Sequence, residues 1–119
     1  VFGCGGERDA GKRPLMARAA EEFADRIVVT SDNPRTESPA SIIDAIVDGL
    51  RQPQHAAVIE DRAAAIAWAI AHAATDDVVL IAGKGHETVQ QVGDKARPFS
   101  DLLVARAALG RGDVEASDD

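Results

Sequence analysis

Apolar residues fall along this chain in two alternating rhythms. Residues 26–30 carry Ile27, Val28 and Val29 in succession, 56–59 end on Val58 and Ile59, and 78–82 run Val78, Val79, Leu80, Ile81 and Ala82. Continuous β-branched runs of this length predict short strands buried on both faces. The opening Val1, Phe2 and Gly3 read as the end of a further strand.

Between these runs the spacing turns helical. Residues 12–24 place Leu15, Ala19 and Phe23 every fourth position with Met16 and Ala20 beside them, and Pro14 suits a first helical turn. A second helix starts at Pro39, carries Ile42, Ile43, Ile46, Val47 and Leu50 on one face, and stops before Pro53. A third is capped by Asp61 and runs to about residue 74 with Ile66, Ile70 and Ala73 inward.

Strand alternating with helix predicts an α/β fold built on an open, mainly parallel twisted sheet with right-handed crossovers. The pattern then changes. Residues 89–92, the Gly93-Asp94 turn and Pro98 predict a hairpin that adds an antiparallel strand at the sheet edge, after which Ser100 caps a last helix carrying Leu102, Leu103, Arg106 and Leu109. One domain is expected over residues 1–110. Asp113, Glu115, Asp118 and Asp119 lie in an apolar-poor end, so 111–119 reads as a disordered acidic tail.

Composition narrows the picture. The 119 residues suffice for one core, and an apolar fraction of 45% rich in alanine, with three Phe, one Trp and no Tyr, predicts small-residue packing. A formal net charge of −7 argues against a nucleic-acid backbone or an anionic membrane as partner. The single Cys4 allows no intramolecular disulfide. Neither a signal peptide nor a run of roughly 20 apolar residues is present, and a cytoplasmic location is expected. Opening on Val1 without methionine, the chain reads as part of something longer.

Three loops concentrate the polar chemistry: Gly3 to Asp9 (GCGGERD), Ser31 to Arg35 (SDNPR) and Gly83 to Glu87 (GKGHE). Each follows a predicted strand. In an open parallel sheet these strand ends share one edge, where ligands bind, so the loops are expected to converge. Gly6, Gly11 and Lys12 match part of a phosphate-binding loop, but Arg13 stands where a magnesium-binding hydroxyl is needed and Pro14 removes an N–H. The alternative for this loop is a tight turn with its charges in water. Arg8 has a planar fork suited to a carboxylate.

In the second loop Pro34 stiffens the turn that carries Asp32, Asn33 and Arg35, a set able to read a zwitterion. An Asx-turn with Arg35 solvated or paired with Glu37 is the competing reading. Glu87 in the third loop can take an ammonium group, Gly83 and Gly85 bare their backbones, and His86 and Lys84 either meet phosphate or cap the sheet edge. His55 and His72 lack partners at ligand spacing, so no protein-built metal site and no catalytic group is assigned.

These loops, as GCGGERDAGKRP, SDNPR and GKGHE in this order, resemble the C-terminal domain of the Mur ligase family, in its diaminopimelate-adding branch, over residues 1–109. The resemblance implies a Rossmann-like domain lacking its first strand and helix, in a cytoplasmic peptidoglycan-synthesis enzyme. In such an enzyme ATP and Mg2+ activate the carboxylate of UDP-N-acetylmuramoyl-L-alanyl-D-glutamate, and an amine of meso-diaminopimelate displaces phosphate. It further implies that Arg8, Asp32, Asn33, Pro34, Arg35, Gly83 and Glu87 contact diaminopimelate. ATP and Mg2+ sites are expected mainly in other domains, with no cofactor tightly held by this chain and no activity from it alone. Two alternatives stand beside this: another amide ligase of the folylpolyglutamate or lysine-adding type, and an amino-acid-binding module that catalyses nothing.

Overall fold

A computed structural model describes the backbone of residues 1–117 and the side chains of residues 1–110. Its elements are α1 (Lys12–Phe23), β1 (Ile27–Val29), α2 (Pro39–Val47), β2 (Ala56–Val58), α3 (Arg62–Ala71), β3 (Val89–Val92), β4 (Lys95–Pro98) and α4 (Asp101–Ser117). The disordered tail expected over 111–119 falls where side chains, and at 118–119 the backbone, lie outside the described residues.

Four parallel tracks make the central layer. β1 pairs with β2 in register Val28 to Ala57. On the other side of β1, Phe2 N donates to Val28 O (3.0 Å) and Thr30 N to Phe2 O (2.9 Å). Beyond Phe2, Val1 N donates to Leu80 O (2.8 Å) and Ala82 N to Val1 O (2.9 Å). The expected strand over 78–82 is therefore an extended track and not a ladder. Val78 and Leu80 are 92% and 72% exposed.

The second helix meets its expectation closely: Ser38 Oγ accepts from Ser41 N, Pro39 opens the first turn, and Ile42, Ile43, Ile46 and Leu50 are buried. Asp61 caps α3 by accepting from Ala64 N (2.9 Å). Ile66 is fully buried there, while Ile70 and Ala73 are half-buried. Ser100 caps α4 through Leu103 N (3.2 Å). The core of Phe2, Cys4, Ala17, Val29, Leu50 and the α2 isoleucines is half β-branched and holds one alanine, less alanine-like than composition suggested.

A further expectation fails. α1 does not bury Leu15, Ala19 and Phe23; Leu15 is 61% and Phe23 82% exposed, and the buried positions are Arg13 and Ala17. At 100° per residue Leu15 faces away from both, so the helix had to choose one side. It turned Arg13 inward because that guanidinium finds a carboxylate and a carbonyl there. The expected hairpin is present, β3 antiparallel to β4, as a two-stranded sheet of its own with a backbone bridge from Arg35 to Val92.

On the opposite side of the sheet from α1 and α2, α3 packs against α4. Their junction is a buried ion pair: Arg62 Nε and Nη2 donate to the two oxygens of Asp101 (2.7 and 2.8 Å). Removing one partner from such a pair strands a charge without solvent, at a cost of roughly 3–5 kcal/mol. Asp101→Ala should therefore lower unfolding free energy by about 3 kcal/mol or more in a urea titration. A loss below about 1 kcal/mol would mean that apolar packing alone joins these helices.

Candidate functional site

The three polar loops leave the carboxyl ends of the Phe2, β1 and 78–82 tracks, and they do meet. Gly5, Arg8, Asp32, Asn33, Arg35, Gly83 and Glu87 line one open cleft of about 240 Å³. Six of the seven residues expected at a site are thus brought together. Pro34, the seventh, is buried behind the cleft with its carbonyl over Gly6, where an added Cβ would lie 1.8 Å from that oxygen.

Backbone contacts explain the convergence. Gly6 N donates to Asn33 O (2.7 Å), and Thr36 donates to the Glu7 carboxylate from its N–H (2.9 Å) and its hydroxyl, which holds the Glu7 carboxyl below its usual range. Gly83 sits at φ +110°, and an added Cβ there would fall 2.7 Å from Asp32 Oδ2. Only glycine lets the third loop pass this close to the second.

Arg35 is the most constrained member. Its φ of 55° lies in the left-handed region, its N–H donates to Gln91 O (2.9 Å), its carbonyl accepts from Gly93 N, and its Nη1 donates to Gly6 O (3.0 Å) and Asn33 O (3.3 Å). Non-glycine residues adopt this conformation only where their surroundings impose it, a condition common at binding sites. Arg8 is exposed and makes no side-chain hydrogen bond among the described residues. Burial pushes the Asp32 carboxyl up, against the pull of Arg62 and Lys84. The cleft therefore offers two guanidinium groups and two carboxylates.

Several residues that shape the site carried no distinguishing sequence signal. Arg13 grips Glu37 with both terminal nitrogens (2.7 and 2.8 Å) and donates to Gly5 O (3.2 Å), binding the first loop to the second. Glu37 is thus paired with Arg13 and not with Arg35. Gln90 Nε2 donates to Asp32 O (2.7 Å) and Gln91 N to Asn33 Oδ1 (2.9 Å), so the hairpin supports the second loop. Lys84 is buried, with Nζ 2.8 Å from Asn33 Oδ1, and His86 is exposed.

The partial phosphate-loop match does not form a phosphate cradle. Gly11 N donates to Asp9 Oδ1 (3.0 Å), Lys12 N to Asp9 O and Arg13 N to Ala10 O (both 3.2 Å), so the amides a phosphate would need are spent internally. The residues present do not fit a nucleotide phosphate.

Comparison with known proteins supplies a family. Residues 1–85 match the family described as Mur ligase, glutamate ligase domain. UDP-N-acetylmuramoyl-L-alanyl-D-glutamate--2,6-diaminopimelate ligase of Ralstonia nicotianae is 53% identical over 98% of this chain and 23% of its own length. The protein of the same name from Alkalilimnicola ehrlichii is 58% identical over 92% of this chain and 22% of its own length. A solved structure titled with that ligase name superposes with a TM-score of 0.89 at 43% identity, over 94% of this chain and 23% of the other. The chain spans under a quarter of the length of these relatives.

Two outcomes follow from the geometry. The paired hydrogen bonds from Arg13, then the Glu7 N–H, hold Glu37 down from 4.5 to about 2. A depressed carboxylate stabilises fully above its unfolded value and loses that contribution as pH falls through its folded one. Acid unfolding of Glu37→Gln should therefore show a flatter dependence than the parent between pH 4.5 and about 2; parallel curves would refute the pairing. In calorimetric titration with Mg-ATP the chain should show no micromolar binding, that is, none near −8 kcal/mol.

Proposed function

We propose, for a chain that belongs to the Mur ligase family, that it forms the meso-diaminopimelate-binding part of an ATP-dependent ligase acting on UDP-N-acetylmuramoyl-L-alanyl-D-glutamate in peptidoglycan synthesis. One observation carries the reading. Two guanidinium groups and two carboxylates face one open cleft, and diaminopimelate is an amino acid with two carboxylates and two ammonium groups. The names of relatives at 53–58% identity support the same substrate.

In this reading Arg8 and Arg35 take carboxylates, because a planar fork matches a carboxylate with two parallel hydrogen bonds. Glu87, with one carboxylate oxygen near Asn33 and Lys84 and a side chain 55% exposed, takes an ammonium group. Asp32, Asn33, Pro34 and Gly83 set the shape and polarity of the floor. The task of these residues is placement: an amine held in attack geometry converts a bimolecular encounter into an effectively unimolecular step. Glu87 holds the ammonium group at one amino-acid end of the ligand, which leaves the amine at the other end to be presented outward.

ATP and Mg2+ belong to the complete ligase and find no fitting residues in the first loop. The nucleotide and the UDP-linked substrate would bind other parts of the enzyme, in the cytoplasm. No helix among the described residues is long and apolar enough to cross a membrane.

Selectivity tests the assignment. Lysine lacks one carboxylate of diaminopimelate, so Arg35 has less to hold in a lysine complex. Losing a charge-assisted hydrogen bond costs roughly 1.5–3 kcal/mol, or about 10- to 150-fold. In the complete ligase Arg35→Ala should lower kcat/KM for meso-diaminopimelate by that factor and change the much lower value for lysine far less. Equal losses on both amino acids would reduce Arg35 to a support of its own loop.

A further inference from the structure

We propose that Lys84 is a positioning residue of the cleft: a buried ammonium that orients the Asn33 amide and the Glu87 carboxylate toward the ligand without touching the ligand itself. The inference rests on reading the cleft as a diaminopimelate site. Lys84 stands in a loop between two glycines, outside the hydrophobic core cluster, where an ordinary lysine would extend into water. Instead its side chain is fully buried. Burying an ammonium costs several kcal/mol unless it is paired, so the arrangement calls for a role that a solvated lysine could not fill.

The partners indicate that role. Nζ lies 2.8 Å from Asn33 Oδ1, 3.4 Å from Glu87 Oε1 and 3.7 Å from Asp32 Oδ1. Asn33 Oδ1 also accepts from Gln91 N at 2.9 Å. With an ammonium and an amide N–H both converging on Oδ1, the flipped amide would set its NH2 group against two donors. Asn33 Nδ2 is therefore turned to Glu87 Oε1, 3.5 Å away. Asn33, Asp32 and Glu87 line the cleft and Lys84 does not. The Lys84 cation beneath the floor, together with the Gln91 N–H, thus sets which end of Asn33 faces the cleft, and it restrains one oxygen of Glu87, leaving the other free.

A double-mutant cycle in the complete ligase separates this from simple structural support. Lys84→Met should raise KM for meso-diaminopimelate about 10-fold or more, with a smaller change in kcat and an unchanged KM for ATP. If Lys84 acts through Asn33, the same substitution in an Asn33→Ala background should add less than about 2-fold. Equal factors in the two backgrounds, or a parent-like KM in Lys84→Met, overturn the inference. Should Lys84→Met fail to fold, Lys84→Gln enters the same cycle, since its amide falls one bond short of the ammonium position; the same outcomes decide. Absence of diaminopimelate-dependent turnover in the parent enzyme would instead sink the reading of the site.

Discussion

One guanidinium without access to water holds the working edge of this domain in place. Arg62 gives its Nε and Nη2 to Asp101, its Nη1 to Ser31 O (2.9 Å) and Nη2 again to Ala82 O (3.1 Å). Those two carbonyls are where the second loop begins and where the last parallel track ends before the third. Asp101 opens α4. A lysine at this position would offer three donors from a single point, whereas the rigid fork spans a carboxylate and two separate carbonyls at once. The spacing of two loops and the seating of α4 on α3 are consequently one interaction.

Below the cleft the same device recurs. Arg13, Arg62 and Lys84 are buried cations held by loop carbonyls, a side-chain amide or carboxylates. Arg8 and Arg35 lie at the surface of the cleft. The two sets divide the labour: the inner cations fix loop geometry and offset the burial of Asp32, while the outer ones remain available. In a chain of net charge −7, local positive charge of this kind has to be assembled on purpose by folding.

How much of this was legible in the sequence depends on which force decided each element. α2 was read correctly because one face carries all its large apolar residues, and the caps at Asp61 and Ser100 because they act locally. Convergence of the loops followed from strand order alone. The face of α1 was misread because its burial is governed by Arg13 meeting Glu37, a partner 24 positions away that no periodicity reports. Lys84 was left open for a similar reason: a lysine between glycines looks mobile until Asn33 is known to lie beside it. The hairpin was recognised from its turn, but its attachment to Arg35 is a backbone contact across distant segments, invisible to local patterning.

That attachment has a consequence for how such domains can vary. Arg35 owes its left-handed backbone to hydrogen bonds with Gln91 and Gly93, on β3 and in the turn that follows it. Side chains alternate faces along a strand, so inserting or deleting one residue in β3 would exchange every donor and acceptor it presents. The carbonyl now meeting Arg35 would be replaced by its neighbour's, facing the other way, and the guanidinium would lose its bearing on the cleft. A short, exposed hairpin of the kind that usually tolerates length changes is here part of the gauge that sets where a ligand's carboxylate can sit.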